Sequence, residues 1–153
     1  MDDRSRLERF VSAQGSGGTY ERAVEELRQG RKTSHWMWFV FPQIAGLGRS
    51  QMSQQYAISS LDEAKAYLDH PILGPRLIEC AGIVADSNRS AATEIFGALD
   101  AQKLRSSMTL FMRAAPEEAA FRKVLERYFH GSPDAGTDEL ISARPVSPPQ
   151  EKP

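Results

Sequence analysis

Cysteine is nearly absent from this chain. Cys80 is the single one among 153 residues, so no internal disulfide can form and a disulfide-stapled scaffold is excluded. Its neighbours Leu77, Ile78 and Ala81 are apolar, which reads as a small buried hydrophobe rather than a catalytic thiol. Histidine is also scarce. His35, His70 and His130 lack the spacing of metal ligands, so no metal site is expected. An excess of one charge sign is missing as well: Lys plus Arg number 19 and Asp plus Glu 20. That balance gives no electrostatic case for a nucleic-acid or membrane binder. No apolar run approaches the length of a membrane span, and the charged start lacks the apolar region of a signal peptide. A reducing, cytoplasmic setting is the expectation. Nucleophile elbow, Walker loop, internal repeat and alternating strand of useful length are all missing.

What is present is a globular composition, with 41% hydrophobic and 25% charged residues. The length suits one domain with its own core. Helical stripes recur along it: Leu7, Phe10 and Val11; Tyr20, Ala23, Val24 and Leu27; Leu61, Ala64, Tyr67 and Leu68; Leu73, Leu77, Cys80, Ala81 and Val84; Leu104, Met108 and Phe111; Phe121, Val124, Leu125 and Tyr128. Stops and caps punctuate them. Asp2 and Asp3 can cap the first helix, Thr19 the second and Asp100 the helix of Leu104, Met108 and Phe111, while Pro116 suits the first turn of the last. Ser60-Leu61-Asp62-Glu63 is a capping box, and His70-Pro71 ends its helix. The prediction is an all-α fold: one compact multi-helix domain over 1–141, with a disordered Pro-rich tail over 142–153.

Three segments carry residues suited to chemistry. The first is Ser34-His35-Trp36-Met37-Trp38-Phe39-Val40-Phe41-Pro42, a continuous apolar run. A short buried helix capped by Ser34 is preferred over a strand, although Trp and Phe suit either. On such a helix Trp36, Phe39 and Val40 share one face, and His35 and Trp38 another. The block then serves as core, with His35 bonded to a backbone carbonyl, or as a pocket wall whose indoles stack on a flat ligand such as a base. The second segment, Gly46-Leu47-Gly48-Arg49-Ser50, lacks the third glycine of a dinucleotide fingerprint. It reads as a plain glycine loop or as an anion site built from Arg49 and the amides after Ser50. In the third, helical spacing sets Lys103 and Ser107 on one strip after Asp100.

Lys32-x-Ser34-His35-Trp36-Met37-Trp38-Phe39-Val40-Phe41-Pro42-Gln43 followed by Gly46-Leu47-Gly48-x-Ser50 resembles the signature of the bacterial domain of unknown function 1810 family. His70-Pro71-x-Leu73-Gly74-x-Arg76-Leu77, Ile95-Phe96-Gly97-x-x-Asp100-x-x-Lys103 and Ser106 to Phe111 resemble its later blocks. The resemblance spans Leu7 to about Ile141. It implies a mainly helical fold and no particular reaction, cofactor or catalytic residue.

Two functions stay open. One is a binder of, or enzyme acting on, a small anionic or nucleotide-like ligand. It would use His35 and Asp100 for proton transfer and Trp36, Trp38, Gln43, Arg49, Ser50, Lys103 and Ser107 for binding. The other is a non-enzymatic helical interaction module in which the aromatic block is core and the polar residues are caps.

Overall fold

The computed structural model describes residues 3–143, with side chains from Arg6 onward. Among these, the helices are α1 (Asp3–Gly15), α2 (Thr19–Gln29), α3 (Met37–Val40), α4 (Gln51–Gln55), α5 (Leu61–Asp69), α6 (Leu73–Ala85), α7 (Ala92–Ala114), α8 (Ala119–Phe129) and α9 (Ala135–Ala143). No strand forms among the described residues; an isolated parallel bridge joins Ile44 to Ile58. The all-α expectation holds.

The stripes read from the sequence are what bring the helices together. Buried Leu104, Met108 and Phe111 of α7 meet Tyr67 of α5, Leu77 and Cys80 of α6 and Phe121, Val124 and Leu125 of α8 in one core. Helix α7 packs on α5, α8 and α9, while α6 packs on α2, α5 and α8. A run of rings crosses the core: Phe10 lies 5.2 Å from Tyr67, Tyr67 lies 5.2 Å from Phe111, and Phe111 lies 5.9 Å from Phe121. Tilted and edge-on packing of this kind adds to the area the rings bury.

Local chemistry sets the element ends. The hydroxyl of Ser60 accepts from the Glu63 amide at 3.2 Å, as a capping box requires. The Glu63 carboxylate, however, reaches back to the Ser59 amide at 2.6 Å. His70 is extended (φ −68°, ψ 132°) ahead of Pro71 and ends α5. Helix α6 then starts against α5 so tightly that a Cβ at Gly74 would lie 2.1 Å from the Leu68 carbonyl oxygen. Gly97 (φ 81°, ψ 168°) breaks α7 into two helical pieces.

Several expectations need correction. The apolar block is helical only over Met37–Val40, and Ser34 does not cap it. Asp100 lies in the first turn after Gly97 rather than at the cap. Gly18 (φ 72°), not Thr19, precedes α2, and the Thr19 hydroxyl donates to the Ser16 carbonyl. Helix α8 begins at Ala119, where the Glu118 carboxylate accepts from the Ala120 amide, so Pro116 lies before it. Helix α9 was not expected; it takes in Ser142 and Ala143, which the predicted tail included. Residues 144–153 and the proposed cap at Asp2 lie outside the described residues, as does the side chain of Asp3.

Candidate functional site

The segment from Lys32 to Phe41 is shaped by one residue of α2. Glu26 is buried in the last turn of that helix. Its Oε1 accepts from the Thr33 amide (2.8 Å), the Ser34 amide (3.0 Å) and Trp36 Nε1 (2.9 Å). Its Oε2 accepts from the Ser34 hydroxyl at 2.6 Å. Burial pushes this carboxyl up, but the hydrogen bonds from Ser34, Thr33 and Trp36 outweigh it and hold the group at about 2. Gly30 (φ 77°) ends α2, and the Lys32 amide then donates to the Ile95 carbonyl at 2.7 Å. The turn therefore lies against the first piece of α7.

This route brings Lys32 to Asp100. Lys32 Nζ lies 2.9 Å from Asp100 Oδ2, and Lys103 Nζ lies 3.4 Å from Asp100 Oδ1. Side-chain exposures are 9% for Lys32, 20% for Asp100 and 29% for Lys103, so the group sits at the rim of the core. Lys103 Nζ is 5.5 Å from the ring centroid of half-buried Trp38, and Lys32 Nζ is 5.2 Å from that of Trp36. Both distances fall in the range of cation–π attraction. Two ammonium groups share one carboxylate, which leaves a surplus positive charge beside an accessible indole.

The other sequence candidates make separate contacts or none. Trp36 is fully buried with its N–H committed to Glu26, so it cannot stack on a ligand. His35 is exposed rather than a core residue, and no hydrogen bond or ion pair joins it to Asp100. Ser50 caps α4, accepting from the Ser53 amide at 3.1 Å. The exposed Arg49 offers its carbonyl to Gln54 Nε2, and the Gln43 carbonyl accepts from the Ile58 amide. The glycines of that loop have structural reasons: Gly46 has φ 107°, and a Cβ at Gly48 would lie 2.3 Å from Ser53 Cβ. The structure thus joins Trp38, Asp100 and Lys103 and adds Lys32, while no polar or ring contact ties His35, Gln43, Arg49 or Ser50 to them. Ser107, one turn beyond Lys103, is wholly buried. Its hydroxyl is the single buried side-chain polar atom without a partner among the described residues.

Sequence reasoning missed Glu26 and Lys32. Glu26 had one visible signal, since it falls three residues after Ala23 on the apolar stripe, where a solvated acid does not belong.

The family model described as protein of unknown function (DUF1810) matches residues 4–141. The chain belongs to the DUF1810 family. This DUF1810 domain is also similar to a solved structure, that of the conserved hypothetical protein Rv1873 from Mycobacterium tuberculosis. The two share 51% identity with a TM-score of 0.86, covering 89% of this chain and 96% of the other. No curated protein matches the chain. Among the described residues of the DUF1810 domain, no helix is long and apolar enough to cross a membrane, and no cluster of His, Cys, Asp or Glu is suited to a metal ion.

Proposed function

We propose that this DUF1810 domain binds a small anion carrying a flat apolar group, such as a nucleotide, at the surface formed by Lys32, Asp100, Lys103 and Trp38. The carrying observation is the charge ratio: two ammonium groups against one carboxylate. Asp100 holds both lysines in place and is a positioning residue. Lys103 remains accessible and supplies a point charge to the anion. Trp38 offers a face for the flat part of the ligand. Asp100 is engaged by both cations and no hydrogen bond or ion pair joins it to His35, so the arrangement favours binding over proton transfer. A cytoplasmic location, where Cys80 stays a thiol, fits such a ligand.

The test uses adenosine monophosphate as probe and tryptophan fluorescence as readout. Saturable quenching is expected with the nucleotide. It should be weaker by about tenfold with adenosine and with Lys103→Met, which keeps the apolar stem of the lysine. Equal responses to adenosine and its monophosphate, or an unaltered Lys103→Met titration, would refute the reading.

One observation favours the interaction-module alternative. Leu99 is 81% exposed beside the Gly97 break, next to this same cluster. If Leu99→Asp removes a macromolecule retained in native mass spectrometry and nucleotide quenching is absent, the module reading takes over.

A further inference from the structure

Three hydroxyls of α7 are buried, those of Ser106, Ser107 and Thr109. Two of them are paired with the backbone one turn back. Ser106 donates to the Gln102 carbonyl at 3.1 Å, and Thr109 donates to the Arg105 carbonyl at 2.8 Å. This is the local outlet for a hydroxyl inside a helix. Ser107 does not use it. Its Oγ bonds neither the Lys103 carbonyl nor any other group among the described residues, and the residue is wholly buried. An unpaired buried hydroxyl disfavours the fold, and alanine in its place is the better helix former. Folding alone therefore gives no reason for a serine here.

Its place on the helix suggests one. Asp100, Lys103 and Ser107 stand at i, i+3 and i+7, on one strip of α7. The strip begins at the charge cluster and ends at the orphan hydroxyl. Lys103 Nζ lies 5.5 Å from the Trp38 ring centroid, so the indole stands beside the same strip. Trp38 is the least enclosed member of α3: Met37, Phe39 and Val40 are buried, and Trp38 is half-buried. Its Nε1 donates to no group among the described residues, whereas the Trp36 indole is held by Glu26. A ring held by packing and one ammonium, on a helix of four residues, is free to swing away from α7.

We propose that Trp38 covers a slot along this strip, that the flat part of the bound anion enters it, and that the Ser107 hydroxyl bonds the edge of that ring. The slot belongs to the binding surface of Lys103 and Trp38, rests on that reading, and narrows its ligand class. The ring must carry hydrogen-bonding groups on its edge, as a nucleobase does and a phenyl ring does not. A hydroxyl both donates and accepts, so either kind of edge group completes it. The Cβ atoms of Lys103 and Ser107 are roughly 6 Å apart at this spacing, and the lysine stem adds to the reach, which leaves room for a sugar between phosphate and base.

Tryptophan fluorescence titrations of the full chain compare adenosine monophosphate with phenyl phosphate, an anion of the same charge whose ring has no polar edge. The nucleotide is expected to bind the parent about tenfold more tightly. Ser107→Ala should lose that factor with the nucleotide, leave the phenyl phosphate titration unaltered, and melt no lower than the parent, since the hydroxyl has no bond to lose. Quenching of the parent by the nucleotide with an unaltered Ser107→Ala titration, or equal affinities for the two phosphates, would overturn the slot and leave the binding reading standing. A melting point lowered by Ser107→Ala would show a hydroxyl already bonded within the fold, and would overturn the slot as well. No quenching of the parent by the nucleotide would overturn both.

Discussion

Replacing Glu26 tests how the aromatic block is held. The carboxylate accepts four hydrogen bonds, three of them from N–H groups. A carboxyl held at about 2 rather than its ordinary 4.5 contributes on the order of 3 kcal/mol at neutral pH. The sign follows from the depressed value. The contribution is fully present above pH 4.5 and is lost as pH falls from there towards 2. Glu26→Gln keeps one carbonyl acceptor and turns a donor towards the Ser34 hydroxyl, which can itself accept. It should therefore cost about 2–3 kcal/mol at pH 7, chiefly from lost charge assistance. Glu26→Ala leaves every donor unpaired, so its cost should reach about 4 kcal/mol or more. Urea unfolding followed by tryptophan emission measures both, because the Trp36 N–H is itself a reporter. Measured from pH 7 down to about 2.5, the parent should lose stability towards the Gln variant until the two nearly meet. Parallel curves over that range, or a cost below about 0.5 kcal/mol at pH 7, would refute the reasoning.

Three further outcomes follow from the packing. Gly74→Ala drives a methyl into the Leu68 carbonyl and should cost roughly 2 kcal/mol or more, whereas Gly82→Ala, on the same helix with open space before it, should stabilise by up to about 1 kcal/mol; thermal melts of the pair compare them directly. Phe111→Ala removes a fully buried ring packed on Tyr67 and Phe121 and should cost about 3–5 kcal/mol by denaturant titration, and an unchanged midpoint would mean that this face of α7 is not core. Burial pushes the Cys80 thiol up to about 12, so iodoacetamide at pH 8 should leave the native protein unlabelled and alkylate it in denaturant; labelling at equal rates in both would contradict that burial.

The helices were legible where a stripe and a cap lay close together in the chain. Leu104, Met108 and Phe111 repeat at helical spacing and all reach the core, and Ser60 caps α5 from the adjoining residue. The aromatic block was not legible, because its partner lies in another element. A run of Trp, Met, Phe and Val has no period to read, and four hydrogen bonds accepted by Glu26, seven to ten residues away, set its path. Helix α9 follows the same logic. Asp134 caps it through the Thr137 amide and hydroxyl, a local signal, but α9 is also tied to α7 by the Asp134 amide donating to the Thr109 hydroxyl and by the Arg113–Asp138 pair. Of the candidate site, Asp100 and Lys103 were visible through their spacing. Lys32 was not, because nothing local links it to a residue 68 positions on.

Much of the specific-looking block now has a structural explanation. Ser34 and Trp36 serve Glu26, Gly46 needs its positive φ, Gly48 makes room for Ser53, and Ser50 caps a helix. The three charges at Asp100 are explained by the fold only in part. An ion pair as covered as Lys32–Asp100 is weak evidence for stability, because desolvation offsets most of the attraction and apolar residues of similar volume do as well or better. Were the pair a simple clamp between the Lys32 turn and α7, one ammonium would suffice. Lys103 adds a second at 3.4 Å from the same carboxylate, an i,i+3 pair on α7 worth about a few tenths of a kcal/mol, set against repulsion between the two cations. Its position over the face of Trp38 keeps that charge close to the surface, with an apolar ring beneath it. The proposed anion would answer the surplus charge that these contacts leave at the surface, and this is why the binding proposal rests on Lys103 and Trp38 rather than on the histidine that first draws the eye.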